Sequence, residues 1–169
     1  MCIRDSYCTV HQFLGMEGTI TVNQGGGSVT PFNGTGINPL GSLVLTGGSP
    51  SPGSTVSFAV DNTADPVGGP GFAFLYVSRN ISPGTLIVPG WGMTAGAPGE
   101  VLISFGAPDP LVLLGPDLWP GSGNPIGYSV PIPSNPALVG LDFFLQGGVL
   151  DLNPANDIGL TNGLELIIG

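Results

Sequence analysis

Carboxylates and amides, rather than bases, are the side chains of this sequence best able to take part in chemistry. Residues 16–169 contain ten carboxylates and a single cationic side chain, Arg79, with no lysine and no histidine. Nucleophilic catalysis of the Ser-His-Asp, Cys-His or Ser-Lys type needs a histidine or a lysine beside the nucleophile. The composition therefore excludes these mechanisms for this part of the chain, together with a histidine-ligated transition metal.

Glycoside hydrolysis remains possible, because it needs only a pair of carboxylates. The residues available for it are Glu100, Asp109, Asp117, Asp142 and Glu165. Carboxylates in turns and on strand faces are commonly solvated. Whether two carboxylates lie close enough to shift each other's pKa depends on the folded geometry, which sequence spacing does not reveal. We therefore predict that the protein is not an enzyme.

Two short segments carry the oxygen ligands that calcium prefers. Asp151, Asn153, Asn156 and Asp157 place four such side chains within seven residues, and residues 61–65 supply further ones. Calcium binds carboxylate, amide and backbone oxygens. Asp and Asn also form turns and caps without any metal. We predict no cofactor, with calcium held by these four residues as the alternative.

Both tryptophans stand in turn-like surroundings, Trp91 in Pro-Gly-Trp-Gly and Trp119 in Leu-Trp-Pro-Gly. An exposed indole on a β-sandwich can stack on the flat apolar face of a sugar ring, whereas a buried one closes the end of the core. Trp91 and Trp119 are accordingly the candidate ligand-binding residues, and core packing is the alternative for both.

The charge balance narrows the range of partners. The formal net charge is −9. Binding to nucleic acid or to anionic lipid depends on lysine and arginine, which are almost lacking here. No apolar run approaches the roughly 20 residues that span a bilayer. We predict no nucleic-acid partner and no membrane insertion.

Alternating apolar side chains predict many short strands. In residues 55–61 the large apolar residues are Val56, Phe58 and Val60, a period of two that should place them on the core side. Similar segments occur at 18–23, 40–46, 72–78, 85–88, 100–105, 111–114, 126–132, 139–146, 149–152 and 164–168. About ten to eleven short strands at this spacing predict an all-β antiparallel sandwich, either Ig-like or jelly-roll-like.

Turns are also encoded by the sequence. Pro-Gly pairs begin at Pro52, Pro70, Pro83, Pro89, Pro98 and Pro120. Proline followed by glycine suits the two central positions of a type II turn. The only predicted helical turn lies at 134–139, with Ser134 or Asn135 as its cap and Pro136 as its first residue.

The first residues differ in character from the rest. MCIRDS resembles translated adapter sequence from assembled environmental reads, and residues 1–15 contain the only histidine and both cysteines. No basic start followed by an apolar core marks a signal peptide in this opening. We predict a non-native or disordered leader over residues 1–15 and a single β-sandwich domain over residues 16–169, with a linker or wide loop at 24–28.

Most of the chain resembles a known type of domain. The resembling segments are 36–43 (GINPLGSL), 89–93 (PGWGM), 96–100 (GAPGE), 130–133 (VPIP), 138–140 (LVG) with Gln146, and 164–169 (LELIIG). They are similar to the Gly/Pro-rich C-terminal domain of large secreted proteins of planctomycete-type bacteria. This resemblance implies an exported, extracellular or cell-surface β-sandwich without an assigned activity.

Together these features predict a non-catalytic structural or interaction module, serving as the C-terminal accessory domain of a larger cell-surface or secreted protein. Its expected partners are the upstream domains of the parent chain, and polysaccharide or other cell-surface components. One alternative is a carbohydrate-binding module that uses its loop tryptophans. The second is a calcium-stabilised adhesion module.

Overall fold

The strands of this protein are short and antiparallel. The computed structural model describes residues 26–65, 69–106, 112–152 and 158–169. These residues form β1 (Ser28–Phe32), β2 (Leu43–Gly47), β3 (Thr55–Val60), β4 (Gly71–Ser78), β5 (Ile81–Val88), β6 (Gly99–Ile103), β7 (Val112–Trp119), β8 (Ile126–Pro131), β9 (Asp142–Asp151) and β10 (Gly159–Ile167).

Two sheets form a sandwich, and a two-stranded ribbon is added to it. The larger sheet has the order β1-β10-β9-β4-β7, and the smaller has the order β2-β3-β8. Among the described strands, β5 and β6 pair only with each other. The predicted all-β antiparallel sandwich is confirmed.

The core lies between the two sheets. As predicted, Val56, Phe58 and Val60 of β3 point inward, and each is 0% exposed. They pack with Leu75 of β4 and Leu145 of β9 in one apolar cluster. Burying a large apolar side chain contributes about 1.5–3 kcal/mol. Burial of these side chains is therefore the main contribution that holds the two sheets together.

The five-stranded sheet also has an outer face, which is rich in aromatic rings. Along β4 the inward residues Ala73, Leu75 and Val77 are buried, while Phe72, Phe74 and Tyr76 between them are half-buried. The ribbon of β5 and β6 lies over this outer face at β9 and β10. Phe105, just beyond β6, meets Tyr76 edge to face with ring centroids 5.0 Å apart.

The prediction that all six Pro-Gly pairs form type II turns is right for half of them at most. Gly53, Gly90 and Gly121 have the positive φ that such a turn requires. Gly71 and Gly99 begin strands, and a Cβ on either would lie 1.9 Å from a backbone oxygen, that of Leu150 or Trp91. At these two positions glycine is needed for close backbone approach.

Other local predictions are confirmed or corrected. Asn135 caps a single 3₁₀ turn at Pro136–Leu138, as predicted, and its Oδ1 accepts a hydrogen bond from the Ala137 N–H at 3.0 Å. The predicted segments 139–146 and 149–152 are joined in one strand, β9, which begins at Asp142 and ends at Asp151. Glycines 147 and 148 continue the strand between them, where a Cβ would meet Val60 or Phe74. Strand β1 begins at Ser28, the last residue of the predicted linker, and the predicted strand at 18–23 lies outside the described residues.

Tyr128 provides a test of the packing between β8 and the larger sheet. Its hydroxyl donates to the Ala73 carbonyl at 2.6 Å. Burial, and then the nearby Asp117 carboxylate, raise the pKa of the Tyr128 phenol far above its ordinary value. The phenol therefore contributes stability below about pH 10, the unfolded-state pKa, and that stability is lost as the pH rises further.

We expect Tyr128→Phe to cost about 0.5–1.5 kcal/mol near neutral pH through the lost hydrogen bond. Between about pH 9 and pH 11 the variant should lose less stability than the wild type, because only the wild type must keep this phenol protonated. Urea unfolding of both proteins near neutral pH, at about pH 9 and at about pH 11 measures both effects. Equal pH dependence in the two proteins would show that the phenol is not protected by folding.

Candidate functional site

Three buried side-chain amides form hydrogen bonds with backbone groups at strand edges that no described neighbouring strand pairs. We call Asn38, Gln146 and Asn162 the backbone-pairing amides. Asn38 accepts from the Glu100 N–H and donates to the Glu100 carbonyl, both at 2.8 Å. Gln146 accepts from the Leu102 N–H at 2.9 Å and donates to the Glu100 carbonyl at 2.8 Å. The amide groups thus satisfy the edge of β6 that does not face β5.

Asn162 makes the corresponding connection between the two sheets. Its Oδ1 accepts from the Leu43 N–H at 3.0 Å, and its Nδ2 donates to the Leu43 carbonyl at 3.1 Å. Asn162 lies where β10 shifts register against β9, between Leu160 and Gly163. The bulge turns this side chain toward β2, so a polar residue is buried with its hydrogen bonds made.

Glu100 is the buried carboxylate that this network positions. The residue is 3% exposed, and its main chain is held on both sides by the backbone-pairing amides. Its Oε2 accepts from both the N–H and the hydroxyl of Thr35, each at 2.7 Å. Its Oε1 accepts no hydrogen bond from any described residue, and it lies where a Cβ on Gly34 would be 2.3 Å away.

A cavity of about 250 Å³ opens beside this carboxylate. It lies between the end of β1, the following loop and the β5–β6 ribbon. Most of its wall is apolar, from Phe32, Ile81, Val101 and Leu102, and Glu100 is the one ionisable residue among the described residues that line it. The site therefore combines an acceptor of hydrogen bonds with a surface suited to a small apolar group.

Trp119 occupies the core, so its predicted role as an exposed sugar platform is wrong. The side chain is 0% exposed and packs in the main apolar cluster. Its Nε1 donates to Asp61 Oδ1 at 3.0 Å, which satisfies the indole in its buried position. As the last residue of β7, Trp119 points inward and closes one end of the sandwich.

Trp91 is half-buried in the loop between β5 and β6. Its main chain is fixed, because its carbonyl accepts from the Leu160 N–H at 3.0 Å and its N–H donates to the Val88 carbonyl at 3.3 Å. Met93 of the same loop packs in the main apolar cluster, and its carbonyl accepts from Asn62 Nδ2 at 2.7 Å. The interpretation of Trp91 as a ligand-binding residue stays a prediction.

The side-chain oxygens of the acidic segment at 61–65 accept hydrogen bonds from its own loop and from Trp119 and Gly123. Asp61 accepts from the Trp119 indole through Oδ1 and from the Gly123 N–H through Oδ2. Asn62 Oδ1 accepts from the N–H groups of Ala64 and Asp65, both at 3.0 Å. This is the turn-forming role that Asp and Asn play without a metal.

Asp151 ends β9 and is buried, and its Oδ2 accepts from the Gly69 N–H at 2.9 Å. The other predicted calcium ligands, Asn153, Asn156 and Asp157, lie outside the described residues. Within residues 26–65, 69–106, 112–152 and 158–169, no three potential metal-binding Asp, Glu, His or Cys side chains come together. Calcium binding by Asp151 and its neighbours stays a prediction.

The carboxylates considered for glycoside hydrolysis are spread over four strands. Glu100 lies on β6, Asp117 on β7, Asp142 on β9 and Glu165 on β10. Asp142 and Glu165 are diagonal neighbours, since Glu165 pairs with Phe144 two residues beyond Asp142. Asp109 lies outside the described residues.

One part of the outer sheet surface carries exposed apolar side chains. We call the side chains of Phe72, Phe74, Tyr76, Leu113 and Leu118 the β4–β7 face. The register pairs Tyr76 with Leu113 and Phe72 with Leu118, so these side chains share one side of the sheet. Leu113 is 48% exposed and Leu118 is 75% exposed. Apolar patches of this kind mark interaction sites more often than random surface does.

The chain matches no protein-family model, no curated protein and no solved structure. Over the described residues there is no helix whose length and apolar character would let it cross a bilayer.

Sequence reasoning missed the backbone-pairing amides. Gln146 stands inside a predicted apolar strand, at a position where a polar side chain is unusual and therefore informative. That signal would have identified Gln146 as a buried hydrogen-bonding group, whereas Asn162 precedes the predicted strand at 164–168 and carries no such signal. As a site residue, Glu100 was considered for hydrolysis alone, because its contact with Thr35 joins residues 65 positions apart.

Proposed function

We propose that this chain is a non-catalytic structural and interaction module, exported and used as the C-terminal accessory domain of a larger cell-surface or secreted protein. The observation that carries the proposal is the β4–β7 face, where Leu113 and Leu118 are exposed beside three aromatic side chains. The resemblance of the sequence to domains of secreted bacterial proteins supports the extracellular setting.

The chemistry of the β4–β7 face favours a protein surface over a polysaccharide. Among its five side chains only Tyr76 carries a polar atom, and none is charged. A sugar polymer requires hydrogen-bonding groups beside the apolar ones. An apolar protein surface requires none, and burying such surface against it is favourable by about 25 cal/mol per Å².

The occupant that we propose is a second copy of this chain. A two-fold contact uses the same patch on both partners, so an apolar, uncharged face is complementary to itself. It also keeps the carboxylates of two acidic molecules away from the centre of the contact. Pro116 and a register shift opposite Ala73–Leu75 interrupt the edge of β7, which disfavours edge-to-edge pairing and leaves the face as the surface in contact.

Sedimentation velocity over a wide concentration range tests this proposal. We expect the wild type to self-associate, and Leu113→Ser/Leu118→Ser to weaken association at least tenfold by removing apolar area from the contact. Leu86→Ser/Ile87→Ser is the matched control, because these β5 residues are 51% and 44% exposed and lie away from the face. That control should associate like the wild type.

Salt distinguishes an apolar contact from a charge-driven one. Sulfate strengthens apolar association, since it is excluded from protein surface. Tighter association of the wild type in sulfate is therefore expected. A wild type that stays monomeric at all concentrations, or a face variant that associates like the control, would refute the proposed contact.

A further inference from the structure

One carboxylate oxygen of Glu100 is open to the cavity. Glu100 is 97% buried as a residue, and Thr35 supplies hydrogen bonds only to Oε2. No described residue donates to Oε1, and the residue lines the cavity. Asn33 Oδ1, in the same loop, is buried without a hydrogen-bond partner. The carboxylate thus offers the cavity an acceptor that the described part of the chain does not use.

A largely buried carboxylate in apolar surroundings binds a charged donor favourably. The chain offers little for this purpose, because Arg79 is its one cationic residue after position 15. The Arg79 guanidinium lies over the Phe143 ring, 4.8 Å from the centroid. A cation that pairs with Glu100 Oε1 would therefore come from outside residues 26–169.

We propose that the cavity binds an alkylammonium group, either of a small free amine or of a lysine side chain on another protein. The ammonium would donate to Glu100 Oε1, and the alkyl part would lie against Phe32, Ile81 and Val101. A charged donor on a carboxylate gives a stronger bond than a neutral one. Calcium fits less well, since it requires six to eight oxygen ligands and Glu100 is the only carboxylate that residues 26–65, 69–106, 112–152 and 158–169 contribute to the cavity lining.

Two variants and a control test the site. Glu100→Gln keeps an oxygen for Thr35 while it removes the charge, so the fold should survive and the ammonium should be lost. Gly34→Ala places a methyl group against the carboxylate, 2.3 Å from the present position of Oε1. Gly47→Ala is the control, because its added methyl group meets nothing within 4 Å and its φ is not positive.

Binding is measured by titrating n-butylammonium chloride and Nα-acetyl-lysine methylamide into isotopically labelled protein and recording amide chemical shifts. We expect saturable shifts at Phe32, Val101 and Leu102 in the wild type and in Gly47→Ala, and at least tenfold weaker binding in Glu100→Gln and Gly34→Ala. n-Butanol, which has the same alkyl chain without the charge, should cause no saturable shift.

The two probes distinguish the source of the amine. Tighter binding of the lysine derivative identifies a lysine of a partner protein, and tighter binding of butylammonium identifies a free amine. If neither probe binds the wild type, or if a folded Glu100→Gln variant binds them equally well, the proposal is wrong. The outcome is independent of self-association, because none of these residues belongs to the β4–β7 face.

Discussion

Replacing Trp119 with alanine is expected to lower the free energy of unfolding by about 3–5 kcal/mol, the range for removing a large aromatic side chain from a core. Trp119 is 0% exposed, and its indole fills the end of the sandwich beside Gly69 and Gly121. Alanine would leave a cavity there, and it would also remove the hydrogen bond from Nε1 to Asp61 Oδ1.

Trp119→Phe separates these two causes, since it keeps a ring in the core but has no N–H group. We expect Trp119→Phe to lower the free energy of unfolding less than Trp119→Ala does. The difference between the two variants measures the contribution of the core volume that the phenyl ring fills. Chemical denaturation monitored by circular dichroism provides the free energies. If Trp119→Ala were as stable as the wild type, the indole would not be a core residue, and its interpretation as an exposed ligand platform would have to return.

The second large effect is expected from Asn162→Leu, which should destabilise the protein by about 2–4 kcal/mol. Leucine has the same branching of side-chain heavy atoms but bulkier end groups, so overpacking adds to the loss of hydrogen bonds. The Leu43 N–H and carbonyl would both lose their partner in a buried position on β2. An unsatisfied buried backbone group costs more than the net value of the bond it formerly made.

Asn124→Ala is the matched control for this amide. Its Nδ2 donates only to carbonyls of its own turn, at 3.3 Å to Gly121 and 3.5 Å to Ser122, in an exposed loop. We expect its effect to stay within about 0.5 kcal/mol, as for other surface substitutions. Equal effects of the two substitutions would contradict the role of Asn162 as a connection between the sheets.

The sequence predicted the architecture well because the folding signal is local. The alternation Val56, Phe58, Val60 needs no knowledge of the partner strand to indicate which side is buried. The cap at Asn135 and the positive φ at Gly53 are likewise set by neighbours in sequence. Strand order is different, because β1 pairs with β10 at the opposite end of the chain.

The candidate sites were harder to predict, since they depend on distant contacts. Whether Trp119 is exposed depends on Asp61, 58 positions away, which accepts its N–H. At the Glu100 cavity, Thr35, Asn38 and Gln146 all form hydrogen bonds with Glu100 of β6. No pattern along the chain encodes such a meeting, although polar residues in apolar strands indicate that one must occur.

Hydrogen–deuterium exchange at low and high protein concentration tests the central claim most directly, because it locates the contact. If copies of the chain associate through the β4–β7 face, amide exchange in residues 71–78 and 112–119 should slow at high concentration, and Leu113→Ser/Leu118→Ser should abolish the difference. Unchanged exchange in these two strands, or slowing confined to β2 or β5, would contradict the proposal that this face is the interaction surface.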